Sequence, residues 1–322
     1  MRKLAQHLFI LLALSGGLAG CRKSATPPQA NANQQPTPAA EATPPPRMSE
    51  AQLQEAIKLE KTLDEPPEFT HFNLGNYYQA AGKYQDAVNE FKEVLKVKPD
   101  DAEAYLHLGD AYNALKQPQD ALAAYKQAIQ IDPKLAAGYA RLGGFYRQAN
   151  QLDEALKMYQ QAVSLNAKDA NVYLQLGDTY GQRGQTQESI KAYQQAVRLQ
   201  PNLAEAQFSL GNAYDKQNQP KLALEAYKKA AQADPKNEDA WFNLGNSYNR
   251  MKQPDEAIKA YNKAVELKPD DAEARRVLGF LYLEKGDKQA ATAQYEALKN
   301  LNPQFAALLI EAINKPAQTE GK

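Results

Sequence analysis

The chain contains few of the residues that build metal centres. Its 322 residues include one cysteine and three histidines, and one of these histidines, His7, lies among the first ten residues. The other two, His71 and His107, are isolated in the sequence. Because a zinc site needs three or four clustered ligands, we expect no bound metal.

Recognisable catalytic motifs are also missing. The sequence has no GxSxG, no HExxH, no P-loop and no paired-glycine nucleotide motif. Its many aspartates and glutamates fall at predicted helix caps and on solvent faces. Without a constellation of acid, base and nucleophile, we predict that the chain is not an enzyme and binds no cofactor.

An excess of charge of either sign is absent as well. The chain has 38 basic and 38 acidic residues, which gives a net charge of zero. Loss of an N-terminal segment that contains Arg2 and Lys3 would leave a net charge of about −2. No basic stripe marks a nucleic-acid surface, so we expect no nucleic acid among the partners.

What the sequence has in abundance is a pattern that returns every 34 residues. In the unit 238–271, Trp241, Leu244 and Tyr248 fall at i, i+3 and i+7, on one face of a predicted helix. A second helical face follows at residues 257–265. Neither helix can cover its apolar stripe alone, so the pattern predicts antiparallel helix pairs that stack on neighbouring pairs.

Several positions keep their residue type in every unit. A leucine in the first helix is directly followed by glycine, and the leucines are Leu74, Leu108, Leu142, Leu176, Leu210, Leu244 and Leu278. The second helix contains an aromatic residue at Phe91, Tyr125, Tyr159, Tyr193, Tyr227, Tyr261 and Tyr295. A glycine inside a helix costs about 0.5–1 kcal/mol relative to alanine. We therefore predict that the glycines let the two helices of a pair approach closely.

This period and these residues resemble the tetratricopeptide repeat. The resemblance covers seven units, at 68–101, 102–135, 136–169, 170–203, 204–237, 238–271 and 272–305. It implies an all-α fold, a right-handed α-solenoid of antiparallel helix pairs, in which each unit contacts mainly its neighbours. It also implies a concave surface, lined by the first helices, on which partners bind.

The family binds partners through the fifth, sixth, ninth, twelfth and thirteenth positions of each unit, which we call the groove positions. Here they include Phe72, Asn73, Asn76, Gln79, Leu106, His107, Asp110, Asn113, Arg141, Arg147, Leu174, Gln175, Asp178, Phe208, Asn212, Asp215, Phe242, Asn243, Asn246 and Asn249. The apolar members would supply hot-spot contacts. His71, which occupies the position of Trp241, is expected to pack in the core.

The asparagines at the groove positions allow two interpretations. Asparagine offers both donors and an acceptor, so a ladder of them could pair with the backbone of an extended peptide. The repeats of O-linked N-acetylglucosamine transferase resemble this arrangement. However, the sequence Asn-Leu-Gly-Asn is common in the family in general and could be only family background. Both interpretations stay open. The carboxylate clamp of chaperone-binding relatives is excluded, because no lysine occupies the second or fifth position.

The first 21 residues resemble a bacterial lipoprotein signal. Arg2 and Lys3 precede a short apolar run, and Leu18-Ala19-Gly20-Cys21 resembles a lipobox. The resemblance implies acylation of Cys21 and attachment to a bilayer. Arg22 stands where an aspartate would retain the protein at the inner membrane, so the periplasmic face of the outer membrane is expected. The alternative is ordinary secretion with an unmodified thiol.

The other flanking segments have their own predictions. Residues 22–47 are rich in Pro, Ala, Gln and Thr and predict a disordered tether. Residues 48–67 predict an N-terminal capping helix that runs from a capping box at Ser49 towards Asp64 and is stopped by the two prolines that follow. Residues 306–315 predict a C-terminal capping helix, and 316–322 a disordered tail.

The seventh unit departs from the others. Arg275 replaces the large apolar residue of the first helix, and Val277, Phe280 and Leu283 make its groove positions apolar. We expect the C-terminal helix to fold onto this surface, because large exposed apolar patches are uncommon without a ligand. A partner site is the alternative.

Together these features predict a lipid-anchored interaction scaffold of the bacterial envelope. The chain resembles outer-membrane tetratricopeptide lipoproteins that assist pilus secretin assembly, barrel insertion or peptidoglycan enzymes. The expected partner is an envelope protein or an extended peptide bound on the concave surface, and its identity is unknown. The alternative function is a glycan- or small-molecule-binding protein that uses the same groove.

Overall fold

The computed structural model describes residues 47–315, and this range is entirely helical, without a strand. Sixteen α-helices succeed one another along it. They are Glu50–Glu60 (α1), Pro67–Ala80 (α2), Tyr84–Val97 (α3), Ala102–Ala114 (α4), Pro118–Ile131 (α5), Ala136–Gln148 (α6), Leu152–Leu165 (α7), Ala170–Gln182 (α8), Thr186–Leu199 (α9), Ala204–Lys216 (α10), Pro220–Ala233 (α11), Glu238–Arg250 (α12), Pro254–Leu267 (α13), Ala272–Glu284 (α14), Lys288–Leu301 (α15) and Pro303–Asn314 (α16). The predicted signal segment, the tether up to residue 46 and the tail lie outside the described residues.

The helices pair as the period predicts. The described residues form two compact units, which divide between Leu165 and Asn166. The described part of the first unit holds α1 and the pairs α2–α3, α4–α5 and α6–α7. The second holds the pairs α8–α9, α10–α11, α12–α13 and α14–α15, followed by α16. Within each unit, a second helix also packs on the first helix of the next pair. The predicted all-α fold of paired helical repeats is confirmed.

The turn inside each pair contains one residue with a left-handed backbone. Its φ lies between 54° and 80° in all seven pairs. Three of these residues are glycines, two are asparagines, and two are lysines, Lys116 and Lys252. Lysine rarely adopts this conformation, so at these two sites the tertiary structure overrides the local preference.

The core of a pair is built where the second helix meets the glycine of the first. In six pairs, a Cβ atom added to this glycine would lie 2.5–3.0 Å from the aromatic ring of the second helix. The contacts are Gly75–Phe91, Gly109–Tyr125, Gly143–Tyr159, Gly177–Tyr193, Gly211–Tyr227 and Gly245–Tyr261. Each ring is buried, with at most 6% exposure. The rings therefore occupy the space that any larger residue would need, which offsets the cost of glycine inside a helix.

The N-terminal helix α1 is shorter than predicted. It starts with the expected capping box, in which Ser49 Oγ accepts from the amide of Gln52, but it ends at Glu60. The amides of Thr62 and Leu63 turn back to the carbonyls of Leu59 and Glu60. The two prolines do not stop α1, because Pro67 starts α2. Proline suits the first turn of a helix, where its missing N–H is not needed.

Helix α1 is nevertheless in register with the second helices. It begins 34 residues before α3, and its buried Leu53 precedes Ala87 by the same interval. Glu60 falls 34 residues before Val94, where the other second helices have a buried alanine or leucine. The side chain of Glu60 is fully buried and accepts hydrogen bonds from Asn73 Nδ2 at 2.8 Å and from the Tyr77 hydroxyl at 3.2 Å.

The C-terminal helix α16 starts earlier than predicted. Its first residue is Pro303, three residues before the predicted start at residue 306, and only Asn302 separates it from α15. Asn302 Oδ1 accepts from the amides of Gln304 and Phe305, each at 3.1 Å, and so caps the helix. Leu309 of α16 is fully buried against α14 and α15.

Two glycines of α8 test the role of the close approach. An alanine Cβ at position 177 would lie 2.5 Å from the ring of Tyr193, whereas at position 181 the nearest atom is Ser189 Oγ at 3.4 Å. We expect Gly177→Ala to lower the free energy of unfolding by about 1–2 kcal/mol, because overpacking outweighs the gain in helix propensity. Gly181→Ala is the control, with unchanged or raised stability. Chemical denaturation of both variants measures the difference, and equal stabilities would contradict the packing argument.

Candidate functional site

The fifth position of the first helices mostly serves packing. Leu106 and Leu174 are 6% and 2% exposed, so they offer a partner little area. Phe72, Phe208 and Phe242 are half-buried. Their ring centroids lie 5.6–5.8 Å from the ring of the second helix in the same pair.

The ninth position holds polar side chains that bind the hydroxyl of the second-helix tyrosine. This hydrogen bond occurs in four pairs: Tyr125 to Asp110 (2.8 Å), Tyr193 to Asp178 (2.7 Å), Tyr227 to Asn212 (2.7 Å) and Tyr261 to Asn246 (2.6 Å). Burial and the neighbouring carboxylate raise the pKa of Tyr125 and of Tyr193, so their hydroxyls stay protonated as donors. In the sequence these tyrosines stand out only as the recurring aromatic residue of the second helix. The signal for this second role is the 15-residue spacing between a polar ninth position and a tyrosine.

Two aspartates on this face also bind an arginine of the next pair. Arg141 Nε lies 3.0 Å from Asp110 Oδ2, while Asp110 Oδ1 accepts from Tyr125. In the second unit, Arg250 Nη1 lies 2.7 Å from Asp215 Oδ1, and Asp215 Oδ2 is 3.1 Å from the Tyr227 hydroxyl. A carboxylate with two such partners is held in place and links adjacent repeats.

At the N-terminal end, several groove positions bind one another. Gln79 Nε2 donates to the carbonyl of His107 at 2.9 Å, and Gln79 Oε1 lies 3.3 Å from His107 Nδ1. The imidazole of His107 packs edge-on against Phe72 and is stacked on Phe91. Burial lowers the pKa of His107, which therefore stays neutral at pH 7. The amide of Asn73 binds Glu60 of α1.

The remaining groove positions differ in what they can offer. Asn243 Nδ2 donates to the carbonyl of Asp239 in its own helix, whereas Asn249 is exposed. The other predicted residues, Asn76, Asn113, Arg147 and Gln175, are half-buried on the first helices. His71 does more than pack, because its Nδ1 lies 2.6 Å from Glu90 Oε2 on α3.

An open cleft lies beside Asn249, at the groove positions of the last two pairs. It encloses about 270 Å³ and is lined by Asn249, Arg276, Val277, Phe280, Leu281 and Glu284. It is the place where the polar groove positions of α12 meet the apolar ones of α14.

A carboxyl pair sits at the start of α12. Burial raises the pKa of Glu238 to about 7, and a hydrogen bond with the side chain of Asp271 contributes to the shift. Asp271 is also the N-cap of α14, where its Oδ1 accepts from the amides of Glu273 and Ala274. Lys268, 3.7 Å from Glu238, acts in the opposite direction on the pKa.

Two further kinds of feature are absent from residues 47–315. No group of three or more His, Cys, Asp or Glu side chains in this range is placed to hold a metal ion. Nor does any of the sixteen helices combine the length and the apolar character needed to cross a bilayer.

Comparison with known proteins agrees with the fold. Family models described as tetratricopeptide repeat or TPR repeat match residues 72–136, 145–184, 177–218, 204–237, 238–271 and 272–305. The chain belongs to the tetratricopeptide repeat (TPR) family. TPR domains bind proteins or peptides, and protein or peptide binding is therefore the general function of this chain. Among curated protein sequences, none matches it.

Solved TPR structures share the fold at low sequence identity. The C-terminal part of a TPR repeat-containing protein from Cytophaga hutchinsonii has a TM-score of 0.62 at 18% identity, covering 76% of this chain and 100% of that one. Pseudomonas aeruginosa pilF has 0.56 at 19%, covering 66% and 100%. YrrB, described as a TPR protein with an unusual peptide-binding site, has 0.50 at 24%, covering 57% and 95%. At these identities the likeness concerns the fold alone.

The carboxyl pair predicts a pH-dependent stability. The folded state holds the proton of Glu238 more tightly than the unfolded state, since its pKa rises from 4.5 to about 7. The stabilisation is therefore complete below about pH 4.5 and is lost as the pH rises through about 7. At pH 8 we expect the free energy of unfolding of Glu238→Gln to exceed that of the wild type by roughly 1–3 kcal/mol. The variant should therefore unfold at a higher temperature.

The control for this prediction is Glu266→Gln, since the side chain of Glu266 is 68% exposed. Thermal melts from pH 4.5 to 8.5 should show the same pH dependence for this control as for the wild type, and a flatter one for Glu238→Gln. Parallel curves for all three proteins would contradict the protonated pair.

Proposed function

We propose that this TPR protein is a membrane-anchored interaction scaffold of the bacterial cell envelope. It binds a partner protein or an extended peptide on the surface formed by the groove positions. The observation that best supports this is the row of ninth-position side chains in α8, α10 and α12 of the second unit, which are fixed by tyrosine hydroxyls. Family membership supports the general class of function, and the row supports the surface used.

The tyrosine bonds give the groove asparagines a defined orientation. In Asn212 and Asn246, the side-chain oxygen accepts the hydroxyl proton of Tyr227 and Tyr261. The Nδ2 group of each amide can then act as a donor for the backbone carbonyl of a bound peptide. A donor held in position before binding loses little conformational entropy when the partner arrives.

Anchoring in the envelope rests on the N-terminal sequence. Cys21, in its lipobox-like context, is the proposed acylation site, and Arg22 favours the outer membrane. The Pro-rich residues 22–47 would hold the repeats away from the bilayer; at about 3.1 Å per residue an extended segment of this kind reaches roughly 80 Å. Two or more acyl chains are needed for stable attachment.

The groove assignment is tested by changing Asn243, Asn246 and Asn249 to alanine together. We expect crosslinking in intact membranes to recover at least about tenfold less of a stoichiometric protein partner, because the lost amide contacts of Asn246 and Asn249 contribute roughly 1 kcal/mol each. Asn300→Ala, on the exposed side of α15, is the surface control. Undiminished recovery with an unchanged melting temperature would reject the groove. Recovery of cell-wall fragments alone would favour the glycan-binding alternative.

The anchor is tested by Cys21→Ser. We expect this variant to move from the membrane fraction to the soluble fraction and to lose the mass of its acyl chains. Arg22→Asp is the matched variant: it should stay acylated but shift to the inner membrane. Wild-type protein without acyl groups in mass spectrometry would remove the anchoring half of the proposal.

A further inference from the structure

The seventh pair lacks the ring-on-glycine contact of the other six. A Cβ atom on Gly279 of α14 would meet three side-chain carbons of Leu309, which belongs to α16 and not to the partner helix α15. Tyr295, the second-helix aromatic of this pair, is only partly buried and lies under the ammonium group of Lys299. A side chain of α16 thus fills the place that a tyrosine or phenylalanine ring fills elsewhere.

Helix α16 lies over groove positions of α14. The guanidinium of Arg276, at the fifth position, lies 5.2 Å from the ring centroid of Phe305. Phe280 and Leu283, at the ninth and twelfth positions, pack in one cluster with Leu309, Phe305 and Ile313. Phe305, Leu309 and Ile313 are four residues apart and form one apolar stripe of α16.

This helix does not continue the repeat. A first helix of an eighth unit would start at residue 306, 34 residues after Ala272, yet α16 starts at Pro303. Its residues at the expected leucine and glycine positions would be Ala312 and Ile313. The stripe of α16 instead fits the surface of α14, whose ninth and twelfth positions are apolar only in this unit.

We infer that the groove positions of α14 form a binding site for an amphipathic helix, and that α16 occupies this site in cis. The inference deepens the proposed function, on which it rests for the existence of an external partner. The partner segment would be a helix with an aromatic residue and two aliphatic residues at i, i+4 and i+8, because these are the residues that the site holds.

Three features favour exchange with a partner helix over a purely structural cap. The link between α15 and α16 is the single residue Asn302, so α16 can leave by rotation at one point. The adjoining cleft beside Asn249 stays open and joins the site to the polar groove positions of α12. On the far side of α16, Leu308 remains 53% exposed, so the helix is not buried on all sides.

The short link between α15 and α16 sets the conditions under which a partner helix can bind. A helix joined by so short a link has an effective concentration on the order of millimolar or more. A segment added in trans at micromolar concentration therefore competes poorly with α16. Its apparent affinity is the intrinsic affinity multiplied by the fraction of chains in which the site is open. Weakening α16 should raise that apparent affinity without changing the site itself.

The test uses a fluorescent peptide of residues 303–315 as the probe and the full chain as the receptor. We expect Leu309→Asp, which places a charge against the apolar site, to bind the probe at least about tenfold more tightly than the wild type. Leu308→Asp is the matched control, one residue away and exposed, and should behave as the wild type does. Phe280→Asp combined with Leu309→Asp should abolish binding, since Phe280 belongs to the site.

Circular dichroism and melting curves establish that each variant is folded. Phe305→Ala is a milder second variant, for the case that Leu309→Asp unfolds α14 and α15, and should give an intermediate gain in affinity. An unlabelled probe carrying the Leu309→Asp change should fail to compete. If folded Leu309→Asp and Phe305→Ala chains bind the probe no better than the wild type, α16 is only a cap and the inference is overturned. The assay uses no envelope partner and none of Asn243, Asn246 and Asn249, so its failure is separable from that of the proposed function.

Discussion

The contact of an aromatic ring with a glycine of the facing helix is the constraint on which each repeat depends. It brings the two helices together and fixes where the ring can lie. In the pair α8–α9, the ring of Tyr193 covers Gly177 while its hydroxyl donates to Asp178, the next residue. One tyrosine therefore belongs both to the core and to the polar surface of the first helix. A change in helix packing would move the groove side chain with it.

The repeats become chemically distinct where either this contact or the bond from the ring hydroxyl to the ninth position is missing. Phe91 has no hydroxyl for Asn76, and the ninth position of the third pair is Gly144, which has no side chain. In the seventh pair the ninth position is Phe280, and the ring site is taken by Leu309. Within the second unit, nearly identical pairs thus present polar positions in α8, α10 and α12 and apolar ones in α14. This variation is what could give a bound chain a direction and a register.

The periodic part of the structure was largely predictable from the sequence, since the pairing of helices follows from local apolar spacing and from glycines in fixed register. The flanking helices were predicted less well because proline is ambiguous. Pro67 was interpreted as part of the stop of α1, and Pro303 fell in the seventh unit, before the predicted start of the C-terminal helix, but each of these prolines begins a helix. A residue without an N–H suits both places. The sequence alone does not indicate which neighbouring helix will supply the packing that decides between them.

The side chains that the groove residues contact within the protein could not be predicted from the sequence either. The pairing of His71 with Glu90 joins residues at positions that do not keep their type from unit to unit. Asn243 looked available for a ligand, yet its amide donates within its own helix. Such contacts depend on rotamers and on the distance between helices, and the repeating pattern specifies neither.

The buried carboxylate of Glu60 has a consequence for assembly. A stack of similar units has ends that could in principle accept the end of another copy, as edge strands do in sheets. Helix α1 closes one end with a group that requires an amide and a phenol together, and only the first repeat has both, in Asn73 and Tyr77. Docked on any other repeat, α1 would lose this pair of donors. The side chain of Glu60 thus makes the docking of α1 specific for the first repeat and disfavours head-to-tail polymerisation.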